Sequence, residues 1–572
     1  MKTKMNLKTM LCLILTIFMC VPFLSYASFN NGSILTFVVF ICTFYFSCKR
    51  FNKINHEEYI AIIFLSFALG FLYTLGYDIN LNSDNYSYNL IDTFTSLLSY
   101  IRIFGVSYFY YLVITALFDA CKKIEINSND EVSSKKLFKF SFLALFIVYG
   151  IFYLIFFPGI CTNDTFSQMD IILGRVHFND HHSFFITMVM YIPFSIGKLI
   201  FSSNNAGVAF ITFFQMITII SILSYFLTYL ASLNISKKYL KLVLCFYMFF
   251  PIFAFYSVTV WKDVIFGYLF LLLTIGVHKL VNNGFNKKNN IYFIIVSFLF
   301  LMTRNNAIYV YLFFIPFMII TFKKQLKNVL LCVLIILFSY AFVKYPLYSM
   351  IGVKKTSSAE YIGMPLQQIG RMSAKGIKFT DYELNTINKL IPASSMAVNY
   401  LPYISDGIKF HNHFKIDVFN ENKKEYFILW FNLVRKHPGT AIEAYLNSTI
   451  GYWYPDYKYW STWYKVDDNN IDVTNLTTSE FTRRRLVNLV SREIPIIGYI
   501  YSIGLMLYIV LLSFVLTVRK EKSKLIYVLP LGLWLSLMVA APVAGEYRYI
   551  FGIICTMPFY MLYPFMKNNK IE

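Results

Sequence analysis

The sequence predicts an all-α polytopic membrane protein with a mixed external domain between its last spans. Three observations predict it. Only 14% of the 572 residues are charged, while 57% are hydrophobic and 19% aromatic; soluble domains carry about 25% charged residues. The mean hydropathy is +0.56. Apolar runs long enough to cross a hydrocarbon core about 30 Å thick recur along the chain, and basic residues gather in the short turns between them.

The formal net charge of +21 does not indicate a nucleic-acid partner. Its lysines and arginines sit in short clusters between apolar runs, the pattern that marks cytoplasmic turns and attracts anionic lipid. Of the nine cysteines, six lie inside apolar runs, and no CxxC suggests a metal site. The N-terminus has basic residues, an apolar core and Ala27-Ser28, like a signal peptide; an uncleaved first helix is expected.

Taken in order, about fourteen spans are expected. The first four, near 9–26, 33–49, 58–76 and 91–118, form an N-terminal unit, 1–136. Lys49-Arg50 and Lys122-Lys123 fall between them and put the N-terminus inside. A core of 137–346 follows, in which a fifth span, 137–157, runs outward to a first external loop, 158–205. Within it, 182–202 is apolar but is expected to lie on the outer surface. Counted as a span, it would invert every later basic turn. The remaining spans fall near 206–232, 239–256, 263–281, 288–303, 306–322, 328–346, 496–517, 525–543 and 549–566. Residues 347–495 are expected to form the extracytoplasmic domain and 496–572 the C-terminal spans, with the C-terminus inside.

The insert FPGICTNDTFSQMDIILGRVHFNDHHSFF gathers Asp164, Asp180, His181 and His182 between two apolar segments. Thr162 is suited to cap a helix starting at Asn163. On that helix Phe166, Met169 and Leu173 share one face, with Asp164, Ser167 and Gln168 opposite. A carboxylate beside an imidazole can hold a divalent cation such as Mg or Mn, although the spacing matches no strong zinc pattern. Three more polar groups meet the same outer face: Trp261-Lys262-Asp263, Thr303-Arg304-Asn305 and Gly545-Glu546-Tyr547-Arg548. Ionisable residues near hydrocarbon are costly and turn toward a polar cavity or one another. Lys262, Arg304 and Arg548 together suit an anionic group, because guanidinium forks match phosphate oxygens.

An acidic residue after an outward span, then His-His-Ser-Phe-Phe opening a surface helix, resembles the GT-C membrane glycosyltransferases. Protein mannosyltransferase relatives carry an acidic loop and His-Pro-Pro-Leu there; Ser183-Phe184 stands in place of the Pro-Pro, and no Asp-Glu pair stands at Asp164. FPGICTNDTFSQ, WKDVIFG, TRNNAIY, EYIGMPLQQIGRM, GYWYPD and GEYRYIFG more closely resemble a bacterial family of uncharacterised polytopic proteins near that superfamily, over roughly 137–566.

The resemblance implies an inverting glycosyltransferase that takes a sugar from a polyprenyl-phosphate donor and passes it to a glycan, lipid or protein acceptor of the cell envelope. Asp164 would be the catalytic base, and Arg304, Lys262 and Arg548 would bind the donor phosphate. Gln168, Asp180, His181, His182, Asp263, Asn305, Glu546 and Arg371 would position substrate, with Glu360, Gln367 and Gln368 in the same closing loop as Arg371. Trp453, Tyr454 and Trp460 would stack on sugars or form the core of the external domain. The competing expectations are a transporter or flippase of a lipid-linked or anionic solute, or an envelope polymerase, ligase or acyltransferase.

Overall fold

The computed structural model describes residues 7–26, 34–51, 56–128, 132–355, 362–488, 490, 497–520, 522–540 and 543–567. Among them the architecture is helical, with isolated β-bridges and no sheet. Residues 347–495, expected from the sequence to form a mixed domain, carry helices and no sheet where described. Within them, Gly363–Ala374 to Pro438–Thr449 form a small helical unit around its own apolar core of Leu366, Met372, Ile387, Leu433 and neighbours.

Among the described residues, seven helices are long and apolar enough to cross a membrane, with shorter apolar helices such as Ala307–Thr321 and Ile503–Val518 beside them. The protein is a multi-pass membrane protein. Three expected spans are broken. The 91–118 run divides at Ser96 into Leu90–Thr95 and Leu97–Cys121. The 239–256 run divides at Phe250-Pro251, where proline cannot donate the next helical hydrogen bond. The 496–517 run divides at Ser502 into Ile497–Tyr501 and Ile503–Arg519.

The Lys262–Asn283 helix is the centre of the bundle: 78% of its apolar window is buried, against 17% for Ser134–Ile155. Aromatic and branched side chains such as Phe270, Phe300, Phe551 and Tyr560 fill the space around it. Its N-terminus defines one face of the molecule. There Thr259 bridges to Ile160, Gln215 donates to the carbonyls of Tyr256, Ser257 and Thr259, and Arg304 pairs with Asp263.

The basic turns sit at the opposite end. Ser236 N–H donates to Ile126 O at 2.8 Å, Phe285 N–H to Gln325 Oε1 at 3.2 Å, and Lys522 Nζ to Tyr563 O at 3.2 Å.

Phe184–Phe201 is one of the seven by length and composition, but both its ends are tied to the site face. Ser183 Oγ donates to Met302 O at 2.6 Å, and just past the other end Asn204 Nδ2 donates to Ile471 O at 2.9 Å. About two turns into the following helix, Asn204–Ser232, Thr212 Oγ1 donates to Pro158 O at 2.6 Å.

The N-terminal helices Ile60–Leu81 and Leu97–Cys121 join the bundle through Tyr454. Its ring lies over Gly76, where any Cβ would sit 2.4 Å from it, and its backbone lies against Gly504. From Tyr454 the chain runs extended across the site face. It bridges Val466 to Cys161 and hydrogen-bonds Asn475 Nδ2 to the carbonyls of Phe156 and Gly159.

Candidate functional site

Asp164 opens the helix Asn163–Ile172, capped at Thr162 as the sequence suggested. Thr165 Oγ1 accepts the Thr162 N–H at 3.1 Å, and the Thr162 hydroxyl accepts the Trp261 indole N–H at 2.8 Å. These bonds fix the first turn against the N-terminus of the central helix. Phe166 and Met169 are buried with Ile186, Met190 and Val260. Gln168 is buried too and donates to Thr187 Oγ1 at 2.9 Å. It braces the surface helix rather than facing a cavity with Asp164, because the helix is covered on two sides.

The Asp164 side chain, 34% exposed, accepts from Arg548 Nη1 at 2.5 Å. Arg548 Nε lies 3.3 Å from Glu546 Oε1, so one guanidinium joins an accessible carboxylate to a buried one. Its plane lies over Trp261, 5.0 Å from the ring centre. The other Asp164 oxygen is 4.0 Å from His182 Nε2, and His182 Nδ1 is 3.0 Å from Lys262 Nζ. An ammonium only donates, so Nδ1 carries the lone pair and the imidazole proton sits on Nε2, facing the acid. Arg304 Nε pairs with Asp263 Oδ1 at 3.3 Å, and its guanidinium lies 4.3 Å from the Tyr549 ring centre.

Burial works against the charged form of Asp164. Arg548, then Lys262 and His182, outweigh it and hold the carboxyl far below the usual carboxylate range. Burial, with Lys262 beside it, depresses His182 to about 3, so the ring is neutral at physiological pH. Burial also lifts Glu546 to about 7, despite Arg548.

Asp180, Asn305 and Lys344 form a second group. Asp180 accepts from Phe184 N–H at 2.9 Å and from Lys344 Nζ at 2.5 Å; Lys344 also donates to Asn305 Oδ1 at 2.8 Å, and Asn305 Nδ2 donates to Asp180 O at 2.7 Å. This network holds the loop that carries His182 against the turn that carries Arg304. Lys344 escaped the sequence reading, although a lone cation in SYAFVKYPLYS was a signal, since a charge within an apolar run needs a partner. His181 is exposed and packs edge-on against His182, with ring centres 4.4 Å apart.

Arg371 is elsewhere. It is buried in the small helical unit around Gly363–Ala374, paired with Glu443, and donates to Ser83 O at 2.7 Å. Its neighbours Gln367 and Gln368 bond to Leu401 O and Ala441 O, and Glu360 lies outside the described residues. Trp453 and Tyr454 are buried at the N-terminal helices, whereas Trp460 is 38% exposed and lies 6.0 Å from Trp261. A narrow recess opens beside it, lined by Tyr457, Tyr459, Gly545 and Tyr547 among others.

Residues 173–571 match a family of unknown function, DUF6020. The chain belongs to the DUF6020 family. Its matched span holds His182, Lys262, Asp263, Arg304, Lys344, Glu546 and Arg548, and begins just after the helix that carries Asp164. No curated protein and no solved structure matches this DUF6020 chain.

Asp164 and His182 do not fit a divalent cation as they stand. The Nδ1 lone pair is taken by Lys262 and Nε2 carries the proton, so neither nitrogen is free to ligate. Among the described residues no three His, Cys, Asp or Glu side chains converge as a metal site.

Proposed function

We propose that this protein is an inverting membrane glycosyltransferase, with a site outside the cytoplasm and both termini inside. One observation carries the reading. Asp164, from the first loop of the site face, shares an ionic cluster with cations from three distant helix ends, Lys262, Arg304 and Arg548. The cluster lies at the end of the bundle away from the basic turns, which the charge rule assigns to the cytoplasm.

The donor is a sugar on polyprenyl phosphate, reaching the site from the bilayer, and the acceptor is a hydroxyl of an envelope glycan, lipid or protein. Asp164 takes the hydroxyl proton as that oxygen attacks the anomeric carbon. The carbon–oxygen bond to phosphate breaks, its electron pair leaves with the phosphate, and configuration inverts. In the resting cluster Arg548 keeps Asp164 too weakly basic for this. A donor phosphate that draws Arg548 to itself strengthens the base at the moment it is needed. Lys262 meets the phosphate with Arg548, while Arg304, buried against Asp263, adds positive potential from behind. His182, neutral, offers Nε2–H toward the reacting oxygens. Trp460 stands where an exposed ring can stack on a sugar.

The test compares lipid-linked and envelope glycans of cells with and without the protein, then repeats transfer with purified protein. One substituent should be missing without it. Asp164→Asn should lower transfer by about 10²-fold or more. Wild-type transfer by that variant removes Asp164 from the role of base.

A further inference from the structure

Arg548 is shared by two carboxylates in unlike surroundings. The Asp164 side chain is 34% exposed and the Glu546 side chain 4%. Asp164 is the outer acid, and Glu546 is the buried one, joined to it through Arg548.

The groups facing Glu546 come from several elements. Asp263 and Arg304 face it from the central helix and the turn after Thr303, with Lys262 next to Asp263, and Asp164 faces it from the external helix. Tyr452 accepts the Glu546 N–H at 3.3 Å, and Tyr256, Tyr459 and Tyr549 complete the surround. Above about pH 7, where Glu546 is ionised, three carboxylates thus balance three cations, and His182 is neutral.

A phosphodiester brings one negative charge at any physiological pH. Adding it to a balanced, largely buried cluster leaves a net charge where charge is poorly solvated. The cheapest correction is a proton on the acid already least favoured in its ionised form. That acid is Glu546, and Asp164, held ionised by three neighbours, is not a competitor.

We propose that an anionic phosphate bound at this cluster takes up one proton with it, and that Glu546 holds that proton. The inference rests on the reading of the cluster as a phosphate site. It makes Glu546 a positioning residue: once neutral, it releases Arg548 from one carboxylate and leaves the guanidinium free to turn to the phosphate.

The test uses the full chain in nanodiscs and two diesters whose charge does not titrate, farnesyl methyl phosphate and dimethyl phosphate. Calorimetry at pH 8 in two buffers of different ionisation enthalpy counts the protons. Wild type should take up between about half a proton and one, with affinity falling up to about tenfold per pH unit above 7. In Glu546→Gln the uptake should be close to zero and the pH profile flat. The wild-type profile stands on its own if that variant fails to fold. Uptake with the farnesyl diester alone identifies a lipid phosphate, and uptake with both shows that headgroup charge suffices. Binding without uptake, or equal uptake in Glu546→Gln, overturns the inference and leaves the phosphate site standing. Failure of both diesters to bind wild type overturns the phosphate site, and the inference with it.

Discussion

Arg548 connects the accessible acid, the buried acid and the Trp261 ring, so its removal should be felt in stability as well as in chemistry. Taking one partner from a buried pair costs about 3–5 kcal/mol, because the charge left behind is desolvated. Arg548→Ala should therefore lower the unfolding free energy by about that amount, read by denaturation in detergent. Adding Glu546→Gln should recover part of it, since the orphaned charge is then gone; no recovery would mean that the loss is packing over Trp261. Arg548→Lys should fall between, as an ammonium cannot fork to both acids. His182 acts on the pH profile. Its folded value, about 3, lies below the ordinary histidine value. The stability it contributes is present above about pH 6.5 and is lost as pH falls toward 3. His182→Asn, which keeps an acceptor for Lys262, should flatten that acid limb of the melting curve.

At the scale of elements, the site is an accident of four helix ends meeting. Each end brings its charge for a local reason. Asp164 and Asp263 lie in first turns, where the helix dipole favours an acid, and Asp180 caps the surface helix by accepting the Phe184 N–H. The small helical unit between Gly363 and Thr449 is held by a different charged group. Glu443 accepts from Arg371 and from Lys375 at 2.9 Å, and these cations in turn bond the carbonyls of Ser83 and Tyr88 in the loop before Leu90–Thr95. Glu443→Gln strands Arg371 without its counter-charge. It should cost about 3–5 kcal/mol and raise hydrogen exchange across residues 82–89 while exchange at Asn163–Ile172 stays unchanged. Unchanged exchange across 82–89 would show that these bonds do not hold the loop.

The whole molecule is polarised, with basic turns at one end and the ionic cluster at the other. A cysteine at exposed His177 should react with an impermeant maleimide in intact cells, and one at exposed Lys288 only after permeabilisation. The reverse pattern would place the site inside and end the proposed use of an external acceptor. Much of this was legible in advance. In a chain so poor in charge, each buried acid or cation is expensive, so Asp164, Lys262, Asp263, Arg304, Glu546 and Arg548 stood out by position alone. Gln168 and Arg371 also stood out, yet serve packing and domain docking. Their partners, Thr187 and Glu443, lie 19 and 72 residues away, and nothing local announces them.

By itself, the sequence determined the membrane class, the alternation of apolar runs with basic turns and the short list of costly charges. Hydropathy and charge act over a few residues and leave a linear record. Which cation meets which acid, that Lys344 joins the group, and that the unit between Gly363 and Thr449 is helical were decided only by the tertiary structure. Those outcomes depend on contacts across tens to hundreds of residues, where packing selects among pairings that the sequence leaves equally open.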